Sequence, residues 1–392
     1  MGGCRQHRRE IWHHALVDLS TLLLVCAIVA GLSGGFAARF RSWGTAPADL
    51  TVGTLTSVLF STVVVVVMVL WLDLNLFGFI HFLYLLAVVG FPIGVAIIAL
   101  PHLFNAEFKT PLIVWPLIIV AVGAVGAGLW GTHVEPGRLV LDEQILGAEG
   151  ANQSLVIGVV ADLQTPSIGD HEISARNLIV EGDPDVVVVP GDLYQIEPDD
   201  LNARLPEFLG WLRELQRSVE HVIIVNGDVD DPEVLQELAD ETGALYLNDE
   251  LLPLVLDGQR VIFAGMTLNP DADRGAISPE LLAALEETTT DRDLVIAVSH
   301  RPDSVLSYTE DTTVDLTIAG HTHGGQVSIP GFGPPITFTD VPREVAAGGL
   351  HVVNGHPLYV STGVGIERGQ APQLRFGVRP SVALLTVVPA DN

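Results

Sequence analysis

The fold is decided by residues 314–323, VDLTIAGHTH, in which an apolar run meets a glycine and then two histidines one residue apart. A continuous apolar run of this length, rich in β-branched residues, predicts a strand that is buried on both faces. The histidines follow at the point where the strand ends. This stretch therefore predicts a buried strand that presents two imidazoles at its carboxyl end.

Four earlier apolar runs also end shortly before an Asp or a His. The predicted helices Asp170–Glu181 and Leu205–Ser218 lie between the first three of these runs. Alternating strands and helices predict βαβ units with a largely parallel sheet. Ligands bind beyond the carboxyl ends of such strands. A lone Asp there is usually a turn residue, but five strand ends of this composition predict a metal site. The four runs are Leu155–Ala161 before Asp162, Asp185–Val189 before Asp192, His221–Val225 before Asp228, and Leu294–Val298 before His300.

These motifs resemble the calcineurin-like metallophosphoesterase superfamily, whose pattern is D-x-H, G-D-x-x-D, G-N-H-[DE], a His, and G-H-x-H. The match is strongest at Gly320–Gln326 and at the following Pro330–Gly333. Ser299–Asp303 and Tyr359–Gly363 are similar to the membrane-associated branch. The resemblance covers about residues 150–390 and implies an α/β fold, a calcineurin-like αββα sandwich with its metal site at the carboxyl ends of the strands.

The resemblance also implies the ligands of two divalent metal ions and a bridging hydroxide that attacks phosphorus in line. Asp192 would bridge the ions at the catalytic centre. Gln164 stands at the His of D-x-H and would offer an amide oxygen. The implied metal ligands are Asp162 and His323 for the first ion, and Asp228, His300 and His321 for the second. Asp228 stands where the family has an asparagine.

Three departures from the family pattern shape the expected chemistry. Gln164 replaces the His of D-x-H, Gln195 replaces the last Asp of G-D-x-x-D, and Val229 replaces the His of G-N-H-[DE]. Fewer nitrogen donors and more oxygen donors favour Mn²⁺ or Mg²⁺ over Fe or Zn²⁺. Valine cannot assist a leaving group, so we expect phosphodiester or pyrophosphate substrates rather than alkyl monoesters. His171 is a candidate substitute acid; the alternative is an exposed histidine at a helix start.

The charge distribution divides the chain into an apolar part and an acidic part. Only five of the 47 acidic residues lie within residues 1–132, and Lys109 is the one lysine. The acidity makes nucleic acid an unlikely partner. An acidic surface almost without lysine is typical of proteins from very salty environments, so we expect a halophilic source. The two cysteines, Cys4 and Cys26, leave the acidic part without a thiolate metal site.

Four apolar windows in the first part are long enough to cross a bilayer. We therefore predict a membrane domain over residues 1–133, with four transmembrane helices, and a catalytic domain over residues 134–392. The expected location is a multi-pass position in the cell membrane. With four spans, both ends of the chain lie on the same side of the membrane. Four arginines lie on that side and three basic residues lie on the other, which weakly favours a cytoplasmic catalytic domain. The windows are roughly 15–38, 51–72, 76–100 and 112–132.

The predicted function is that of a membrane-anchored, metal-dependent phosphoesterase acting on a phosphate ester, a lipid-linked phosphate being one candidate. A second hypothesis is a regulatory or scaffold domain that binds metal but has lost catalysis with Val229 and Gln164. A third is a transporter with a sensor domain. His81 and Asp18 are the only ionisable residues near the interior of a predicted span, which argues against transport.

Overall fold

The computed structural model describes residues 19–41, 75–104, 114–268, 276–290 and 292–390. The chain divides into two compact units, Met1–Trp130 with Arg368–Gln373, and Gly131–Glu367 with Leu374–Asn392. The division falls three residues before the predicted boundary at 133/134. That boundary stays a prediction of where the catalytic domain begins.

Before Trp130, the described part of the first unit is almost entirely helical. Cys26 and Ala27 of the first helix pack with Phe82 of the second in a small apolar core. The side chain of Asn75 caps the second helix by accepting a hydrogen bond from the backbone N–H of Gly78. A π-helical turn at Leu86–Gly90 joins the second helix to the third. The helices are α1 (Leu19–Arg41), α2 (Leu76–Leu85), α3 (Phe91–Phe104) and α4 (Val114–Leu129).

Two helical segments in the described part of the chain are long and apolar enough to cross a membrane, Leu76–Leu100 and Val114–Gly137. They match the third and fourth predicted spans. The apolar part of α1, Ser20–Gly35, is shorter than a full span. The predicted span at 51–72 lies outside the described residues. The structure thus contains two of the four expected helices at spanning length.

Two six-stranded sheets form the centre of the second unit. Their orders are β1-β12-β2-β3-β4-β5 and β10-β11-β9-β8-β7-β6. The strands are β1 (Val140–Ala148), β2 (Leu155–Val159), β3 (Val186–Pro190), β4 (Val222–Val225), β5 (Leu245–Tyr246), β6 (Glu250–Leu256), β7 (Gln259–Gly265), β8 (Leu294–Val298), β9 (Leu316–Ala319), β10 (Gly349–Val353), β11 (His356–Val360) and β12 (Ser381–Pro389).

Helices cover the outer faces of both sheets, so the unit has four layers. One apolar cluster lies between the sheets and includes Ile157 and Val188 from one sheet, and Phe263 and Ile296 from the other. A second cluster joins the first sheet to its helices and a third joins the second sheet to its own. These helices are α5 (Asp170–Glu181), α6 (Leu201–Ser218), α7 (Pro232–Thr242), α8 (Pro279–Thr288) and the short α9 (Arg343–Ala346).

The fully buried strands are those that the apolar runs predict. Every residue of β3, β4, β8 and β9 is buried. Most strand pairs are parallel, but β12 runs antiparallel to β2, β6 to β7, and β10 to β11. Helix α6 begins at Leu201 rather than at the predicted Leu205 and contains Pro206. The predicted mixed α/β sandwich is confirmed.

Candidate metal centre

The predicted Asp and His ligands all lie within four residues of the carboxyl end of a strand. Asp162, Asp192 and Asp228 follow β2, β3 and β4 of one sheet, and His300, His321 and His323 follow β8 and β9 of the other. The two sheets therefore bring carboxylates from one side and imidazoles from the other to a common edge.

Five of these side chains form two groups whose ligand atoms lie within 4.8 Å of one another. One group is Asp162, Asp192 and His300, and the other is Asp228, His300 and His321. His300 belongs to both. Oxygen and imidazole ligands in this arrangement suit a divalent cation.

His300 is oriented by the main chain. Its Nδ1 lies 3.0 Å from the carbonyl oxygen of Pro190, which places a proton on Nδ1. Nε2, which would bind a cation once deprotonated, is buried and lies 3.5 Å from a carboxylate oxygen of both Asp192 and Asp228. Histidines that bind a metal through one ring nitrogen usually donate the N–H of the other nitrogen to a carbonyl or carboxylate. That hydrogen bond fixes the tautomer of the ring.

The group around Asp228 is partly exposed, and an arginine outside the group binds its carboxylate. Nδ1 of His321 lies 2.8 Å from Oδ2 of Asp228. Nε and an Nη of Arg301 donate to Oδ1 of the same carboxylate at 3.1 and 2.6 Å. Although burial opposes it, the neighbouring imidazoles of His300 and His321 hold the pKa of Asp228 well below its usual range. Asp228 is therefore anionic at neutral pH.

The group around Asp162 is completely enclosed. The backbone N–H of His321 donates to both carboxylate oxygens of Asp162, at 2.9 and 3.1 Å. Burial raises the pKa of Asp162 to about 7, and the charge of Asp192 adds to that rise while His300 opposes it. A carboxylate in such a place is stabilised by a nearby cation.

His323 lies beside a buried arginine, Arg375, that no sequence motif predicts. An Nη of Arg375 lies 3.3 Å from Nδ1 of His323, and the guanidinium donates to the carbonyl oxygens of Thr362, Gly363 and Gly365. Burial lowers the pKa of Arg375 to about 10, so that it remains charged at neutral pH. Burial is the main cause that keeps the pKa of His323 well below its usual value, and the positive charge of Arg375 is the second. His323 is therefore neutral and able to act as a ligand.

Backbone strain is concentrated on the predicted ligands. Eleven residues other than glycine have a positive φ among the described residues. Such angles are uncommon for side-chain-bearing residues and cluster at functional sites. Five of the eleven are predicted ligands, namely Asp162, Gln164, Asp192, His321 and His323.

Two glycines make room for the carboxylates and imidazoles. Gly191 has φ of +85°, and a Cβ there would lie 2.6 Å from Nδ1 of His300. A Cβ on Gly227 would overlap the carboxylate of Asp192. The close approach of β3, β4 and β8 at the site therefore depends on the absence of these two side chains.

Two further carboxylates hold the loops that carry the ligands. Asp230 accepts backbone N–H bonds from Leu193, Tyr194 and Gly227, which joins the loops after β3 and β4. The side chain of Asp303 accepts from the backbone N–H groups of residues 340 and 341 and from a threonine hydroxyl at 339. The neighbouring carbonyl of Phe338 lies 3.3 Å from Nε2 of His321.

The remaining sequence predictions lie around the two groups. Gln164 is buried; its backbone N–H donates to the carbonyl of Asp192 and its side-chain amide donates to Glu367 at 3.1 Å. His171 is the second residue of α5, and its Nε2 lies 3.1 Å from the carbonyl of Val364. His171 is in neither group, so its catalytic role stays a prediction. The backbone N–H of Val229 donates to Asp192, and its side chain offers no proton.

The donors present fit a pair of divalent ions. Nε2 of His300 and Nε2 of His323 are both buried, and neither has a hydrogen-bond partner among the residues that the structure describes. A buried nitrogen of this kind is costly unless something else binds it. Together with three carboxylates at the same edge, these nitrogens form a ligand set of mixed oxygen and nitrogen.

The sandwich and its site define the class of protein, and the chain's relatives agree. Residues 155–325 match the family model of the calcineurin-like phosphoesterases. This part of the chain is therefore similar to the calcineurin-like phosphoesterases, and the predicted enzyme class, a metallophosphoesterase, is confirmed at that level.

Similar proteins carry related names. The metallophosphoesterase YkuE of Bacillus subtilis is 29% identical over 53% of this chain and 70% of its own length. The phosphodiesterase YaeI of Escherichia coli is 37% identical over 24% of this chain and 32% of its own. A dimetal phosphatase from Danio rerio aligns with 54% of this chain and 88% of its own at 16% identity and a TM-score of 0.36.

Proposed function

We propose that this protein is a membrane-anchored, two-metal phosphodiesterase or pyrophosphatase, with a lipid-linked phosphate as the favoured substrate. The observation that carries the proposal is the convergence of Asp162, Asp192, Asp228, His300 and His321 in two groups that share His300. The two bilayer-length helices support the anchor. A multi-pass position in the cell membrane and a cytoplasmic catalytic domain belong to the same proposal.

The arrangement of the side chains supports two adjacent cation positions. Asp162 and His323, with Asp192, would hold the first ion, and Asp228, His300 and His321 the second. Such a pair of ions supplies an activated water and neutralises the charge that develops on the phosphoryl oxygens. The hydrogen bond from His300 to Pro190 fixes the imidazole for this purpose. Gln164 and Asp230 support the loops on which Asp192 lies.

The choice of diesters or pyrophosphates over alkyl monoesters follows from Val229. General acid assistance is worth about 10²–10⁴-fold in rate and matters most for poor leaving groups. Val229 offers no proton, and His171 lies in neither ligand group. Esters whose leaving groups need little protonation are therefore the substrates that this site suits.

Metal binding is the first test of the proposal. We expect protein stripped with EDTA to be inactive, and titration with Mn²⁺ by calorimetry to give ~2 ions per chain, because the two groups form two positions. Asp228→Ala should retain ~1 ion. Asp199→Ala, a change at an exposed aspartate seven residues after Asp192, is the matched control. Stoichiometric zinc in protein purified without added metal would contradict the preference for Mn²⁺ or Mg²⁺.

Arg301 is the partly exposed cation at the site and is expected to bind a phosphoryl oxygen as well as Asp228. Loss of one preorganised donor to developing charge typically costs about 10²–10³-fold. We expect Arg301→Gln to lower kcat/KM for bis-p-nitrophenyl phosphate by about 10²-fold. Arg213→Gln removes an exposed surface pair with Glu241 and is the control. Unchanged turnover with weaker Mn²⁺ binding would mean that Arg301 serves Asp228 alone.

The scaffold hypothesis remains the second candidate because Val229 and Gln164 depart from the family pattern. The two proposals differ in one measurement, the turnover of bis-p-nitrophenyl phosphate in the presence of Mn²⁺. Metal binding at full stoichiometry without turnover of diester or pyrophosphate substrates would favour the scaffold.

A further inference from the structure

An uncharged, apolar loop lies beside the proposed metal centre and has no part in binding the ions. It runs from Gly324 to Thr339, sixteen residues without Asp, Glu, Lys or Arg in a chain whose net charge is −28. Four of its large side chains are exposed to solvent, Ile329 by 45%, Phe332 by 56%, Ile336 by 42% and Phe338 by 41%. Soluble surfaces seldom group large apolar side chains in this way, and such groups mark interaction sites.

The loop is held in place at both ends. Near its start, Gly325 has φ of +77° and lies against Pro334 and the carbonyl of Ile336. At its end, Asp303 accepts the hydroxyl proton of Thr339 at 2.5 Å and two backbone N–H bonds from the next residues. The exposed side chains therefore project from a defined loop.

The loop adjoins the second ligand group through Phe338, whose carbonyl oxygen lies 3.3 Å from Nε2 of His321. A substrate bound there would thus have a polar phosphoryl group at the ligands and its remaining part close to an apolar surface. Arg343, with its guanidinium carbon 4.4 Å from the centre of the Phe332 ring, adds a cation next to that surface.

Exposed aromatic and aliphatic side chains with an adjacent arginine form the combination that enters the interface of a bilayer. The same chain has two helices of bilayer length, so a lipid surface is the partner that is always near. The rest of this acidic domain would be repelled by anionic lipid because it carries many carboxylates. A loop without charges avoids that repulsion.

We propose that Gly324–Thr339 is a lipid-docking loop, which inserts Ile329, Phe332 and Ile336 among acyl or isoprenyl chains and so presents a lipid-linked phosphoester to the metal centre. This inference rests on the proposed function, since it names the surface that selects the substrate for the same site.

The test compares two probes with the same scissile bond, methyl p-nitrophenyl phosphate in solution and hexadecyl p-nitrophenyl phosphate in the bilayer. The full chain is reconstituted in phosphatidylcholine nanodiscs with Mn²⁺. For the double variant Ile329→Ser/Phe332→Ser, we expect the apparent KM for the hexadecyl probe to rise at least about tenfold, because two apolar side chains no longer leave water. The kinetics of the methyl probe should stay within about twofold. Val255→Ser, at a side chain that is 69% exposed on β6, is the control.

A direct measurement separates docking from catalysis. A bimane label at Phe332→Cys, with Cys4 and Cys26 changed to Ser, should shift to the blue in nanodiscs and be quenched by brominated lipid. Loss of activity on both probes, equal KM values on the hexadecyl probe, or a label in water would each overturn the lipid-docking loop. A change in native mass caused by the double variant would assign the loop to contact with a second copy. If wild-type protein hydrolyses neither probe while the label enters lipid, the proposed function fails and the docking loop stands.

Discussion

Asp192→Asn should reduce turnover of bis-p-nitrophenyl phosphate by about 10³-fold or more, the largest effect that we expect from a single substitution. Asp192 lies in the enclosed ligand group and its Oδ2 is 3.5 Å from Nε2 of His300, which also belongs to the second group. Removing its charge weakens both cation positions, and about 4 kcal/mol of lost transition-state stabilisation corresponds to three orders of magnitude in rate.

The amide is a close match in shape to the carboxylate, so the fold should survive. The amide oxygen of the variant could still accept the hydrogen bond that the backbone N–H of Val229 now donates to Oδ1 of Asp192. Circular dichroism and the melting temperature should therefore match those of the wild type, and Asp199→Asn should retain full activity. Turnover within tenfold of the wild type at saturating Mn²⁺ would remove Asp192 from the catalytic centre.

Arg375→Met should be the most destabilising substitution in the phosphoesterase domain, by about 3–5 kcal/mol. The side chain is fully buried, and its guanidinium donates to the carbonyl oxygens of Thr362, Gly363 and Gly365. Methionine is long enough to fill much of the space but leaves the carbonyl oxygens of Thr362 and Gly365 without the donors they have in the wild type, while that of Gly363 keeps the N–H of Ser381. The melting temperature should fall by roughly 10 °C.

The same substitution should also weaken metal binding, because Arg375 lies 3.3 Å from His323 and the loop that it holds touches Asp162 through Gly363. Calorimetry with Mn²⁺, at a temperature where the variant is folded, measures this separately from stability. Arg379→Met, at an exposed arginine four residues later, should change the melting temperature by less than about 2 °C. Equal melting temperatures for the two variants would contradict the structural role of Arg375.

The ligand positions were predictable because each one follows an apolar run that is buried on both faces. Such a run has few alternatives to a central strand, and parallel strands bring their carboxyl ends to one edge. Asp162, Asp192, Asp228, His300 and His321 could therefore be placed together from the sequence. The last strand, β12, could not, because its antiparallel pairing with β2 joins residues more than 200 positions apart.

The residues that support the site were harder to find. Arg375 binds carbonyl oxygens of a loop, and backbone acceptors leave no pattern in a sequence. Glu367, whose carboxylate accepts a hydrogen bond from the Gln164 amide, is one of 47 acidic residues and stands in no recognisable motif. One signal was present for Arg375, which stands between Leu374 and Phe376 in a chain with only 19 basic residues. A charged residue between apolar neighbours is buried only when the fold satisfies it.

The interaction of Arg301 with Asp228 gives the departure from the family's asparagine a physical reason. An aspartate adds a negative charge to that position, and the two hydrogen bonds from Arg301 offset it. We expect other chains that carry Asp at this point to carry a compensating cation as well. The pair is separated by 73 residues, so only the fold shows that the two residues belong together.

The two ligand groups differ in their access to solvent. Asp162, Asp192 and His300 are buried, whereas Asp228 and His321 are partly exposed. An ion in the outer position should therefore exchange with the solution faster than an ion in the enclosed one. As the metal concentration falls, we expect the outer position to empty first and to leave molecules that hold a single ion.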